Sequence, residues 1–224
     1  MSARLVPLTI PLATGGTLSG LLEAPPNAGA CLVLAHGAGA GMTHPFMAAM
    51  ARGLGERRIA TLRFQFPYMD QGSRRPDPPD VAHGAVRAAV QEAGKRLPNV
   101  HLFAGGKSYG GRMTSQAQAI EPLAGVRGIV FLGFPLHPAG KPSIERADHL
   151  ADVQVPMLFL QGTRDSLADL ALVRETAGKL GKRASLHIVE GADHSFHVLV
   201  RSGRNDEQVQ VEMLDTVAAW IESL

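Results

Sequence analysis

The stretch FAGGKSYGGR, residues 103–112, holds two incompatible chemistries. Gly106-Lys107-Ser108 ends like a phosphate-binding loop, where a lysine and a hydroxyl meet a nucleotide and its magnesium. The same residues complete Gly-x-Ser-x-Gly, a sharp turn that presents a nucleophilic serine. A phosphate loop needs Gly-x-x-x-x-Gly-Lys-Ser, because backbone amides of a glycine-rich turn must wrap the phosphates. Its first glycine would fall at His101, and HLFA at 101–104 reads as strand, whose amides belong to a sheet ladder. The serine reading needs a strand, a tight turn and a helix, with small residues beside the nucleophile; VHLFAG, Gly106, Gly110 and Gly111 supply them. Ser108 is therefore the candidate nucleophile, and Lys107 is read as a bystander at the rim of its pocket.

A serine needs a base, an acid that orients the base, and donors for a developing oxyanion. Downstream, the acid candidate is Asp165 in LFLQGTRD and the base candidate is His194 in IVEGADHSF, each directly after an apolar run. Two alternatives stand beside them. Asp165 could instead cap a following helix, with Asp169 as the acid; His197 could replace His194 as the base. Upstream, LAHGAGAGM at 34–42 leaves amides accessible between glycines. The expected oxyanion donors are the N–H groups of Tyr109 and Ala38, with Gly39 in reserve. His36 is read as a structural hydrogen-bonding residue of that loop. Gly39, with Phe66 and Tyr68 of RFQFPYMDQGSRRPD, forms the candidate substrate-binding wall. Arg74, Arg75 and Arg112 read as solvated surface charges, with attraction of an acidic substrate as the alternative. The set calls for no metal and no cofactor, since Asp193, His194 and His197 lack a second ligand cluster.

The elements that would position these residues alternate along the chain. Two β segments, LVPLTI and TLSGLLEA, flank the turn Thr14-Gly15-Gly16. ACLVLA is a continuous apolar run suited to a strand covered on both faces. From there PFMAAMARGLGERR reads as helix, IATLRFQF as strand, residues 81–96 as helix and VHLFAG as strand. A helix over 108–120 leads to GIVFLGF, a helix over 168–180 lies between VPMLFLQG and SLHIVEG, and an amphipathic helix closes residues 206–223. The expected fold is α/β: a doubly wound, mostly parallel sheet with an antiparallel N-terminal edge. Candidate site residues all fall just after strands, where ligands bind in such sheets. The segment from Pro135 to Val155 is too short for a lid domain, and FPYMDQGSRRPDPPD reads as a long surface loop.

Composition narrows the partners. An apolar fraction of 45% and a charged fraction of 19% belong to a globular chain rather than a disordered one, and 224 residues suit one domain spanning 1–224. A net charge of +2, from 22 basic and 20 acidic residues without a basic run, argues against nucleic acid. No stretch reaches membrane-spanning length, and Pro7 and Pro11 interrupt the first apolar residues, against a secretory signal. The single cysteine, Cys31, allows no internal disulfide, consistent with a cytoplasmic setting. The expected partner is a small-molecule acyl substrate, with no nucleic acid or membrane; nothing in the sequence specifies an oligomeric state.

Taken together, HGAGAGM…PFM, FPY, GGKSYGGRM, QGTRD and GADHSF resemble the α/β-hydrolase superfamily. More narrowly, they resemble its small lidless branch with the testis-expressed hydrolase-like proteins and the third subunit of the nonspecific-lethal chromatin complex. The similarity runs from about residue 17 to residue 224. A more distant similarity is to dienelactone-hydrolase-like proteins, which usually carry a cysteine where this chain has Ser108. The resemblance implies a serine hydrolase with Ser108, Asp165 and His194 at the triad positions. The chromatin relative implies a second possibility, a non-catalytic binding or scaffold domain on the same fold.

Overall fold

The computed structural model describes residues 4–73 and 75–224; Arg74 lies outside them. Strands β1 (Arg4–Pro11) and β2 (Thr17–Ala24) form the N-terminal hairpin. The remaining strands are β3 (Ala30–Ala35), β4 (Ile59–Phe64), β5 (His101–Lys107), β6 (Val126–Leu132), β7 (Met157–Gly162) and β8 (Ala184–Val189). They make one eight-stranded sheet in the order β1-β2-β4-β3-β5-β6-β7-β8. β1–β2 and β2–β4 pair antiparallel and every other pair is parallel, as the alternation of runs requires.

The apolar runs explain which strands lie inside. β3, β4 and β7 are buried at every residue, because helices cover both faces. α1 (Pro45–Glu56) and α6 (Asp206–Glu222) close one face through Met47, Met50, Leu54, Met213 and Val217. α3 (Pro79–Arg96), α4 (Tyr109–Ile120) and α5 (Leu170–Leu180) close the other, with Val86, Val90, Met113 and Val173 in its core. α1 starts where Pro45 fixes a helical φ and His44 Nδ1 accepts the Phe46 N–H. α6 starts at a capping box between Asn205 and Gln208. Cys31 is fully buried, and that burial pushes its thiol up to about 12, so it is a packing residue.

Two segments differ from the sequence reading. The stretch after β4 is not all loop: Pro67 starts a one-turn helix, α2 (Pro67–Asp70), whose Pro67 and Tyr68 are buried. Between β6 and β7, residues Glu145–Asp152 form a 3-10 segment anchored by Ala147 and Leu150, and no separate lid domain is present among the described residues. No described helix is long and apolar enough to cross a membrane.

Candidate active site

Ser108 stands between β5 and α4 with φ 50° and ψ −115°, a left-handed backbone that a residue with a Cβ adopts only under constraint. Its neighbours supply the constraint. A Cβ on Gly106 would lie 2.2 Å from the Ala35 carbonyl oxygen, and one on Gly110 would lie 2.6 Å from the oxygens of Ala35 and His36. β3 and α4 thus approach the turn so closely that only glycine fits on either side. The Ser108 side chain does not cap its own helix, which leaves Oγ available to another partner.

That partner is His194. Its Nε2 lies 2.8 Å from Ser108 Oγ, and its Nδ1 lies 2.7 Å from Asp165 Oδ2. Asp165, with 1% of its side chain exposed, is held from two further directions. Gln161 Nε2 donates to Oδ2 at 2.5 Å and the Leu167 amide donates to Oδ1 at 2.8 Å. Gln161 is itself fixed by accepting the Phe134 amide at 3.0 Å. It is the residue the sequence reading passed over, although one polar side chain in the apolar strand MLFLQG was its signal. The carboxylate is locked in place, so Nδ1–H points at it and Nε2 is left to accept from the serine.

The competing assignments separate cleanly. Asp169 is the helix cap, accepting the Leu172 amide at 3.1 Å at the start of α5. His197 is exposed and pairs through Nδ1 with Asp206 at 2.8 Å, away from Ser108. Asp193 ties the turn that carries His194, its Oδ1 accepting the amides of Ser195 at 2.8 Å and His197 at 3.0 Å. His36 is fully buried: Nδ1–H donates to the Gly37 oxygen at 2.7 Å and Nε2 accepts the Phe66 amide at 3.2 Å, so it is the neutral tautomer. Burial holds its pKa below the ordinary value.

Of the expected oxyanion donors, the amides of Ala38 and Tyr109 make no hydrogen bond to a described residue. Gly39 is different: its N–H donates to Tyr68 Oη at 2.9 Å, so it is occupied. The reserve donor is therefore removed. The substrate wall also changes. Phe66 and Tyr68 are 0% and 2% exposed and do not line the cavity in front of Ser108. They lie beneath the 36–42 loop, where Phe66 packs edge-on to His36 at 4.9 Å and Tyr68 holds Gly39. Aromatics in a proline-rich segment look solvent-facing in sequence; the turn of α2 folds them inward.

The opening in front of Ser108 is a cavity of about 370 Å³, lined by Ala38, Phe46, Met47, Leu167 and His194 among others. Phe46 stacks on Phe196 with ring planes 8° apart. Lys107 lines it too, and is no bystander. Nζ donates to the His194 carbonyl at 2.6 Å and stands 5.3 Å from the Phe196 ring centre. Burial lowers its pKa to about 8, against the opposing pull of Asp165 and Asp193.

The family model described as an alpha/beta hydrolase domain matches residues 28–222. A dienelactone hydrolase from Anabaena variabilis superposes with a TM-score of 0.81 at 19% identity, over 100% of this chain and 99% of that one. A lidless α/β serine hydrolase from Xanthomonas campestris gives 0.75 at 20% identity, over 98% of this chain and 96% of that one. A cold-adapted esterase from an Arctic intertidal metagenomic library gives 0.70 at 17% identity, over 98% and 94%. At these identities the likeness is one of fold.

Proposed function

The chain belongs to the family of α/β-hydrolase domains, and within it we propose that this protein is a serine hydrolase acting on small carboxylic esters. The observation that carries the reading is the unbroken chain of contacts from Ser108 Oγ through His194 to Asp165, at 2.8 and 2.7 Å. In the reaction, His194 Nε2 takes the Ser108 proton as Oγ attacks the ester carbonyl. Asp165 keeps the imidazole in the required tautomer and stabilises the imidazolium. The amides of Ala38 and Tyr109 receive the oxyanion. His194 then gives its proton to the departing alkoxide, and water, activated by the same imidazole, releases the acid from Ser108. The apolar lining from Phe46, Met47 and Leu167 suits a short acyl or aryl group. The narrower likeness to the testis-expressed and nonspecific-lethal branch rests on the motifs alone. A lone buried cysteine fits a cytoplasmic setting.

The test is labelling with a fluorophosphonate probe together with hydrolysis of p-nitrophenyl acetate and butyrate. The expected result is labelling and turnover in the wild type and loss of both in Ser108→Ala, with kcat falling by about 10⁴ or more. Absence of labelling and turnover in a folded wild-type protein overturns the reading in favour of a non-catalytic binding domain.

A further inference from the structure

Two buried side chains at the 36–42 loop have no part in the triad: His36 and Tyr68. Both grip the loop by its backbone. His36 Nδ1–H donates to the Gly37 oxygen at 2.7 Å, and Tyr68 Oη accepts the Gly39 N–H at 2.9 Å. A second bond to the Gly37 oxygen comes from the Ala40 amide at 3.1 Å. Farther along, Gln65 Oε1 accepts the Met42 N–H at 2.8 Å and Arg63 Nη1 donates to the Met42 oxygen at 3.0 Å. Ala38, between the gripped residues, is exposed.

The peptide unit makes these grips directional. It is planar and trans, so its C=O and N–H point in opposite directions and turn together. The Gly37 oxygen and the Ala38 N–H belong to one such unit. Holding that oxygen on the buried imidazole turns the Ala38 N–H the other way, away from His36. The next unit joins the Ala38 C=O to the Gly39 N–H, and Tyr68 holds it by that N–H. Both planes that meet at Ala38 are therefore fixed, one on each side. His36 is itself oriented: the Phe66 N–H donates to Nε2 at 3.2 Å, which leaves the proton on Nδ1, facing Gly37. Because linked hydrogen bonds polarise one another, the bond to the Gly37 oxygen also makes the Ala38 N–H a stronger donor. Gly39 and Gly41, at φ 71° and 79°, let the loop take this path.

We infer that His36 and Tyr68 are the positioning residues of the oxyanion site, aiming the Ala38 N–H at the oxygen that becomes charged when Ser108 attacks. This rests on the serine-hydrolase reading for the oxyanion, though not for the hydrogen bonds of the loop. Ala38 and Ser108 both line the cavity, whereas His36 and Tyr68 do not. Their effect therefore belongs to the transition state, where the negative oxygen develops, and not to binding of the ester.

The experiment measures hydrolysis of p-nitrophenyl acetate and inhibition by phenylboronic acid, whose adduct on a serine places an oxygen at the oxyanion position. Tyr68→Phe keeps the ring and removes the acceptor. It is expected to lower kcat about tenfold and leave KM within about twofold. The inhibition constant of the boronic acid should rise by the factor that kcat falls. His36 is read by two variants that each keep one of its bonds: an Asn amide can donate where Nδ1 does, and a Gln amide can accept where Nε2 does. His36→Gln should lose about 10²-fold in kcat and His36→Asn only about tenfold, whichever melts lower. Val173→Ala, a buried change on α5, is the control that lowers Tm and leaves kcat alone. An unchanged kcat in Tyr68→Phe overturns the inference, and so does a loss that appears in KM or merely tracks Tm across the set. His36→Gln as active as His36→Asn removes His36 from it; if neither folds, Tyr68→Phe decides alone. A wild type that neither hydrolyses the ester nor binds the boronic acid fails as a hydrolase, and the oxyanion role falls with it. Hydrogen exchange then still reads the grip: residues 36–42 should exchange about tenfold faster in Tyr68→Phe, with α4 unchanged. Equal exchange overturns the grip as well.

Discussion

The two ends of the sheet both carry a cavity, yet they treat polar groups in opposite ways. At the amino ends of β3, β4 and β5 lies the larger cavity, about 430 Å³, lined by Arg57, Arg58, His101 and Arg127. Its arginines are spoken for: Arg57 donates twice to Asp215 Oδ1, at 2.8 and 2.6 Å, Arg58 reaches the Asn27 oxygen at 3.3 Å, and Arg127 reaches the Leu224 oxygen. At the carboxyl ends the cavity is smaller, but polar groups are left available there: the amides of Ala38 and Tyr109. Left-handed residues occur at both ends, Asn27 and Arg58 at one, Ser108 and Phe196 at the other. Neither volume nor backbone strain separates the two ends. What marks the carboxyl end is polar groups held ready without partners, the condition an incoming ligand satisfies.

Carboxylates give the sharpest way to break this contrast. Asp165→Asn should lower kcat on p-nitrophenyl acetate by about 10⁴, because an amide leaves the imidazole in the wrong tautomer. Asp215→Asn removes the partner of Arg57 at the opposite end, on a side chain 63% exposed. It should leave the kinetics alone and change stability by under about 1 kcal/mol. Comparable kinetic losses in both would mean that Asp165 acts only through the fold.

Glycines test the same contrast through packing. In Gly106→Ala the new Cβ would meet the Ala35 oxygen at 2.2 Å, backbone against backbone, where nothing can rotate away. The expected loss is about 3–5 kcal/mol in urea unfolding. Gly29, which lines the opposite cavity, has nothing within 4 Å of a built Cβ. Gly29→Ala should therefore leave stability unchanged or raise it by under about 1 kcal/mol. Equal losses would show that the close approach of β3 to the serine turn is not special.

The contrast also explains what could be read in the sequence. Strand, turn and helix around Ser108 were legible because each is local, a buried apolar run followed by glycines. Asp165 and His194 were legible as candidates because they follow strands, and parallel strands bring such positions to one edge. Contacts made across the chain were not. Lys107 looked unconstrained inside Gly-x-Ser-x-Gly, and its burial is set by His194 and Phe196, far along the sequence. Phe66 and Tyr68 looked like a wall because hydropathy gives no direction in a loop, and α2 turned them under His36 and Gly39. Arg112 looked solvated because long cations usually are, and only the packing around α4 buries its Nε.

Lys107 provides the smallest effect and the most discriminating one, since stability and activity should move in opposite directions. Its ammonium faces the His194 carbonyl and the Phe196 ring, with Asp165 after β7 and Asp193 before His194 as the nearby carboxylates. Gly133, after β6, passes so close that a Cβ there would lie 3.2 Å from Nζ. Burial lowers the lysine from 10.5 to about 8. Between those values the unfolded chain holds a proton that the folded protein has released, so stability rises with pH across that window. Below about pH 8 the folded protein bears the full penalty of the buried ammonium. Lys107→Met lifts that penalty, so its melting temperature at pH 7 should equal or exceed the wild type's, with the difference closing toward pH 10.5. Its activity should instead fall by about tenfold, because the bond that fixes the His194 loop is gone and the imidazole loses its alignment. In the wild type the charge-assisted bond weakens as Lys107 deprotonates, which sets a decline in kcat/KM above about pH 8 that the variant lacks. Wild-type activity and an unaltered alkaline limb in Lys107→Met would return the lysine to the role of a bystander, and leave the base to Asp165, held by Gln161, and to the turn that Asp193 ties.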